Sequence, residues 1–330
     1  MKEEEIRPQT LMYEDEILHR IDVSEMLKWK NAFVKISCPA CESLDHKLMF
    51  EKEGFSFVRC VMCNTLFINP RPTFKMLSDF YSNSKSIKHW NDKIFPSSEE
   101  VRRAKIFLPR AEKVKEIYLK YKGRSGGTLL DVGAGFGTFC EEVKKTGAFD
   151  KVIAVEPSPS LAETCRRKGL NVIEKPIEEV EMSDVDLITN FELIEHLYWP
   201  KDFVISCAKM LPKNGLFVLT TPNIEGFDLV MLGPLSDNIV GPNHLNYFNP
   251  YSLTQLLQRC GFEVLEITTP GKLDAEIVRK KVLDGKYDIS SCPFLKEILI
   301  DRWESVGINF QKFLVENKLS SHMWVVARKI

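Results

Sequence analysis

Two groups of residues in this 330-residue chain have the types and spacing that chemistry needs. The first is LLDVGAGFGT, Leu129 to Thr138. An apolar run ends in Asp131, then passes through Gly133, Ala134, Gly135 and Gly137 into a helical pattern. Glycines take backbone angles closed to other residues and carry no side chain to block a ligand. A ligand can therefore lie against this loop, near the amides that open the next helix. KVIAVEPSPS follows as a second buried strand with Glu156 at its carboxyl end, nineteen positions after Gly137, and Pro157 next. An acid there can accept hydrogen bonds from a ribose diol, because open α/β sheets bind ligands outside the carboxyl ends of their strands. A solvated strand-end carboxylate is the plainer alternative.

The second group is Cys38, Cys41, Cys60 and Cys63, two C-x-x-C knuckles separated by eighteen residues. This spacing is that of a structural zinc ribbon. Two cysteines on each tight turn would share one ion, and four thiolates leave no open position for chemistry. A disulfide framework is disfavoured without an export signal, and a redox dithiol accounts for one pair but not two. The five other cysteines are scattered singly and read as buried apolar fillers, with Cys140 notable for following the glycine loop.

These residues need elements to hold them. From Phe139 the pattern reads as an amphipathic helix stopped at Gly147. Phe55–Val58 and Leu66–Ile68 read as hairpin strands around the knuckles. Residues 1–35, with Ile17, Leu18, Ile21, Met26 and Leu27, read as one or two helices packed on the body or forming a dimer contact. Phe74–Tyr81 and Glu99–Tyr121 read as helices, the second ending near Gly123, with a loop carrying His89, Trp90 and Phe95 between them. Ile224 to Pro250 is rich in glycine, proline and asparagine and reads as irregular. A helix, a stop at Gly261 and a strand follow, then a helical stretch from Lys272 to Leu319 and a closing strand in SSHMWVVARKI. The formal net charge of −1 supplies no broad cationic field for nucleic acid or anionic membrane. No apolar run reaches the ~20 residues a bilayer span needs, and MKEEEIRPQT is not a secretory signal. The expectation is a cytoplasmic protein without membrane insertion.

LLDVGAGFGT, AVEPSPSLAETCRRKG, DLITNFELIEHLYWP and LPKNGLFVLTTPN, in this order between Thr128 and Asn223, resemble the class I S-adenosylmethionine-dependent methyltransferases. A nicotinamide-binding Rossmann domain is the rival, disfavoured by the G-x-G-x-G spacing and by the EHLYWP segment. The resemblance implies an α/β fold: a Rossmann-like seven-stranded methyltransferase sheet with an N-terminal zinc ribbon and helical additions. It implies S-adenosyl-L-methionine as cofactor, held by Asp131, Gly133, Ala134, Gly135, Gly137, Glu156, Pro157, Asn190, Phe191 and Glu192. The expected organisation is a helical segment over 1–35, a ribbon over 36–72 and a catalytic domain over 73–330. Within that domain the core spans 124–269, a helical insertion 270–320 and the last strand 321–330.

The ribbon segment CPAC…RCVMCNTLFINPRP resembles the zinc-binding region of some methyltransferases acting on nucleotide-linked sugars or surface polysaccharide. In this fold the Asn243–His244 loop borders the acceptor. His244 is then the candidate general base, since a near-neutral imidazole can take a hydroxyl proton; a loop-bracing histidine is the equal alternative, and His196 is the other histidine to weigh. Tyr81, His89, Trp90 and Asn243 are candidate acceptor contacts. The sugar C-methyltransferases carry a glutamate before the histidine, where this chain has Asn243. That favours O-methylation of a sugar, nucleotide-sugar or glycan hydroxyl over C-methylation of a keto-sugar. A protein or nucleic-acid methyltransferase reading its target with the ribbon, and a non-catalytic cofactor-binding protein, are the other readings. A nucleic-acid acceptor is disfavoured by the weak basic character around the ribbon, and a homodimer stays open.

Overall fold

A computed structural model describes residues 3–330; Met1 and Lys2, the first residues of the expected segment 1–35, lie outside the described residues. The strands are β1 (His46–Lys52), β2 (Phe55–Cys60), β3 (Leu66–Ile68), β4 (Thr128–Val132), β5 (Lys151–Val155), β6 (Asn171–Ile173), β7 (Leu187–Phe191), β8 (Leu216–Pro222), β9 (Asn246–Tyr247), β10 (Phe262–Thr268) and β11 (His322–Lys329). Seven of them form one sheet in the order β10-β11-β8-β7-β4-β5-β6. Strands β4 to β8 form the parallel part of this sheet, and β11 runs antiparallel between β8 and β10. The chain winds outward from β4 to one side through β5 and β6, and to the other through β7 and β8. The crevice between these halves, at the strands' carboxyl ends, is where ligands bind in open sheets.

All five β4 residues are buried, as is most of β7 and β8. Parallel strands covered on both faces need such continuous apolar runs. Leu130, Val132, Ile188, Phe203, Val204, Leu253 and Leu256 fill one face beneath the helices Pro200–Met210 and Pro250–Arg259. Ala111, Val114, Tyr118, Phe139 and Val143 cover the other, on the helices Leu108–Lys122 and Thr138–Lys145. The first of these helices stops on Gly123, whose φ of 66° is the left-handed cap the sequence suggested.

The second sheet joins distant parts of the chain. Its order is β1-β2-β3-β9, so the cysteine hairpins acquire a fourth strand from residues Asn246 and Tyr247. Leu66 pairs with Tyr247 and Phe67 with Asn246. Phe55, Phe57, Leu66, Ile68 and Tyr247 share a core with Val23 and Met26 of the helix Gln9–Leu27.

Two sequence expectations change, and two that hold as helical gain detail. The segment containing His89, Trp90 and Phe95 is helical, not a loop: Ser84 caps the helix Lys85–His89 by accepting from the Ile87 amide, and helix resumes at Phe95–Arg102. A serine-rich stretch that looked like linker holds a helix start. In the helix Gln9–Leu27, Ile17 and Ile21 are 45% and 39% exposed, while the polar His19 is buried and bonds the Gly241 carbonyl. Between Ile224 and Pro250, the helix Phe227–Leu232 and strand β9 interrupt the irregular backbone. The stretch after β10 divides into the helices Asp274–Leu283, Pro293–Lys296 and Trp303–Glu316, packed around Val278, Leu299 and Leu314. Among the described residues no helix is long and apolar enough to cross a membrane.

Candidate active site

The glycine loop leaves β4 and turns under β5: the Gly133 and Ala134 amides both donate to the Val155 carbonyl, at 2.9 and 3.2 Å. Gly135 has φ of 56°, and a Cβ built there would meet nothing within 4 Å. Its backbone therefore borders open space, the cradle a ligand needs. Glu156 braces that turn. Its Oε2 accepts from the Gly135 amide at 2.8 Å and its Oε1 from the Ser158 amide at 2.9 Å. A carboxylate offers about four lone-pair positions, so capacity for a diol remains. Burial raises the Glu156 carboxyl, against the Ser158 and Gly135 bonds. Pro157 is exposed beside it.

Asp131 faces inward. It accepts from Thr189 Oγ1 at 2.7 Å and Cys140 Sγ at 3.4 Å. Burial pushes its carboxyl up to about 6, opposed by those two bonds and by the Arg110 charge. Asn190 donates to the Val132 carbonyl at 3.1 Å, clamping the ends of β4 and β7, and its Oδ1 is buried without a partner. The Phe191 ring packs on Phe139, at 4.8 Å between centroids. Arg110 lies over that ring at 4.3 Å and has no hydrogen bond or ion pair among the described residues. The sequence reading missed Arg110; it sits in the first turn of the helix Leu108–Lys122 with no motif around it.

Glu192 adopts φ of 52°, a strained angle for a side-chain-bearing residue. Its carboxylate accepts from Thr220 Oγ1 at 2.6 Å and lies 3.4 Å from His322 Nδ1. The next residue, Leu193, packs on the glycine loop: a Cβ at Gly133 would lie 2.7 Å from Leu193 Cδ2.

Three residues further, the same segment enters a second group of polar side chains. The Leu245 and Asn246 amides donate to the Glu195 carbonyl at 2.9 and 3.1 Å. This brings His196 and His244 together edge to face, with ring centroids 4.6 Å apart. His196 Nδ1 donates to the Asn243 carbonyl at 2.7 Å, and His244 Nδ1 to the Asn238 carbonyl at 3.0 Å. Each imidazole thus keeps Nε2 as its lone-pair nitrogen. Glu195, 1% exposed, accepts from Thr221 through one oxygen, while Oε1 has no partner and lies 3.9 Å from His196 Nε2. Burial lowers both histidines, and for His244 the neighbouring His196 adds to it; burial together with Glu192 raises Glu195 far above the usual carboxylate range. Tyr81, 40% exposed, donates to the Asn243 carbonyl at 3.2 Å and stands at the rim of this corner.

Tyr81, Asn243 and His244 are therefore brought together, and His196 joins them. His89 and Trp90 are not. His89 is buried and bonds the Leu11 carbonyl at 3.1 Å, and Trp90 stacks under Arg102 at 5.4 Å. Both hold the N-terminal helices together. Glu195 was missed as a functional residue although it directly precedes His196 in the sequence, and His322 was hidden by the insertion before β11.

The cysteines converge as expected. Their four sulfurs lie within 4.8 Å of one another, with Cys38–Cys63 and Cys41–Cys60 each at 3.5 Å. Tetrahedral coordination at ~2.3 Å implies sulfurs about 3.8 Å apart, so the donor set fits zinc. Glu42 and Asn64, the residues after each knuckle, take φ of 64° and 59° and close the two turns. The knuckles are bound to the sheet domain: Asn249 donates to the Cys63 carbonyl and Arg259 to the Ala40 carbonyl, both at 2.9 Å, while Lys201 and Arg259 pair with Glu42. Arg71, fully buried, donates to Asn246 Oδ1 at 2.9 Å and to the Tyr198 carbonyl at 3.3 Å. The ribbon thereby sets the position of the His244 loop.

The family model described as "Methyltransferase domain" matches residues 103–267, 165 of the chain's 330. A protein of Mycolicibacterium smegmatis described as a "Probable S-adenosylmethionine-dependent methyltransferase" is 35% identical over 28% of this chain and 34% of its own length. One of Mycobacterium tuberculosis with the same description is 30% identical over 41% of this chain and 48% of its own. The ubiquinone biosynthesis O-methyltransferase of Schizosaccharomyces pombe is 29% identical over 34% and 44%. The chain thus spans between a third and a half of the length of these curated relatives. Among solved structures, the plantazolicin methyltransferase BpumL in complex with SAH superposes with a TM-score of 0.50 at 13% identity, over 77% of this chain and 93% of that one. This likeness concerns the fold.

Proposed function

Because this chain belongs to the methyltransferase-domain family, we propose that it transfers the methyl group of S-adenosyl-L-methionine to a hydroxyl of a small-molecule or glycan acceptor, with a sugar or nucleotide-linked sugar as the favoured class. One observation carries the reading. The segment Phe191–His196 touches the glycine loop through Leu193 and forms the acceptor-side corner through Glu195 and His196. Donor and acceptor sites are then two ends of one short rigid piece.

The cradle at Gly135 takes the donor, Glu156 the ribose hydroxyls, and Arg110 the methionine carboxylate. In the transfer, a bond forms between the acceptor oxygen and the methyl carbon as the carbon–sulfur bond breaks. The electron pair stays on sulfur, which becomes a neutral thioether. The hydroxyl proton passes to a neutral imidazole, for which His244 Nε2 is the candidate. The sulfonium is already activated, so the protein's main work is alignment and exclusion of water. The four cysteine thiolates would hold a structural zinc beside β3, the strand whose pairing with β9 positions the His244 loop. Asn243 before His244 supports oxygen rather than carbon as the atom methylated.

The test is mass spectrometry of products from nucleotide sugars and glycans incubated with S-adenosylmethionine. A gain of one methyl on an acceptor oxygen is expected. His244→Ala should cut turnover by ~10²-fold or more and leave cofactor affinity nearly unchanged. Loss of cofactor binding in that variant would assign His244 to the scaffold instead.

A further inference from the structure

The acceptor-side corner carries more than a general base requires. Glu195 Oε1, His196 and His244 offer three donor atoms within 4.8 Å of one another. Each imidazole has its Nδ1–H tied to a backbone carbonyl, Asn243 and Asn238 respectively. This is the arrangement that orients metal-bound histidines, fixing the tautomer and aiming Nε2 at the ion. Glu195 is 1% exposed, with one oxygen oriented by Thr221 and the other buried without a hydrogen-bond partner, 3.9 Å from His196 Nε2. A buried, unpartnered carboxylate oxygen costs free energy unless a cation or donor meets it. A proton base would need one imidazole, and a structural corner would satisfy the carboxylate; neither accounts for all three free donor positions.

From this geometry we infer that Glu195, His196 and His244 bind a divalent first-row transition ion on one face, leaving its remaining positions for an oxygen of the acceptor. Two imidazoles and one carboxylate suit the manganese-to-zinc series better than magnesium, which prefers oxygen ligands throughout. The Glu192 charge acts on both Glu195 and His196, and Tyr81 shares the Asn243 carbonyl with His196. The inference rests on the methyl-transfer reading for its use but not for its test. An acceptor hydroxyl bound to such an ion is acidified as metal-bound water is. Its proton then leaves to solvent, and the His244 lone pair serves the ion instead of the proton. The site is separate from the cysteine cluster, whose four thiolates form a closed set.

The experiment titrates the purified full chain, its cysteine-bound zinc retained, with Mn2+ while the free-ion signal is followed by electron paramagnetic resonance. The probe is a hard ion that thiolates take poorly. One Mn2+ per chain is expected. Glu195→Gln and His244→Ala should each weaken it by ~10-fold or more, with zinc content unchanged. S-adenosylhomocysteine binding, measured by calorimetry on the same samples, reports that each variant is folded. If wild-type protein binds the nucleoside but no Mn2+, or if the variants bind Mn2+ equally well, the cation site is overturned and the methyl-transfer reading stands. If Mn2+ binds and is lost in the variants while wild type ignores the nucleoside, the cation site is supported and the methyl-transfer reading falls.

Discussion

Asp131 holds a buried carboxylate at the edge of the donor cradle, and its titration has a definite sign. Its folded pKa of about 6 stands above the ordinary aspartate value of 3.8 because burial outweighs the bonds from Thr189 and Cys140. Below the lower value the carboxyl is protonated in both folded and unfolded chains, and no difference arises. As pH rises through the window the unfolded chain ionises first, so the group destabilises the fold increasingly and fully above pH 6. The difference between the two values corresponds to about 3 kcal/mol. Asp131→Asn keeps an acceptor for Thr189 and removes the charge. Relative to wild type, the variant should gain up to that amount between pH 4 and above 6 in urea unfolding; a pH-independent difference would refute the assignment. Asp131 and Glu156 were legible in the sequence because each ends an apolar strand run. Arg110 and His322 were not, since only the folded chain brings them to the site.

At the scale of elements, the decisive junction is β3 against β9. No periodicity announces a two-residue strand, so the ribbon read as a separate module in the sequence, while in the fold it completes its sheet with the residues just after His244. The glycine loop and its flanking strands were readable because local spacing dictates them. The stretch from Ser82 to Ser98 was not: its serines look like linker, yet Ser84 caps a helix, and His89 is buried against the N-terminal helix. The consequence for function concerns the zinc proposed for the four thiolates. Stripping it with a chelator should free the knuckle turns and loosen β9, abolishing turnover through the His244 loop. Affinity for S-adenosylhomocysteine should change by less than ~3-fold, because the glycine loop is held by the Val155 carbonyl and the Glu156 carboxylate, not by the thiolates. Calorimetry with zinc-free protein checks this, and equal loss of both properties would count against it.

At the scale of the molecule, one seven-stranded sheet supports everything at its carboxyl edge, and the pieces added to it brace that edge from two sides. The ribbon braces the His244 loop. The helices between β10 and β11 brace the start of β11: Asp274 accepts from Ser320 Oγ and the Ser321 amide at 2.6 Å, from Ser321 Oγ at 2.5 Å and from Gln311 at 2.6 Å. His322 follows directly and meets Glu192. Asp274→Ala leaves these donors unmatched in a site only 3% exposed. It should cost about 3 kcal/mol in chemical denaturation; a loss under ~0.5 kcal/mol, the range of an ordinary surface substitution, would contradict this bracing role.

The central claim is that the Gly135 cradle and Glu156 form a nucleoside-sulfonium site. The direct measurement is calorimetric titration of the full chain with S-adenosylmethionine, beside Gly135→Val. Saturable one-site binding is expected for wild type. In the variant it should weaken by ~10-fold or more, since a side chain enters space that is empty within 4 Å of a built Cβ. No saturable heat with wild type, or equal affinity in the variant, would contradict the account.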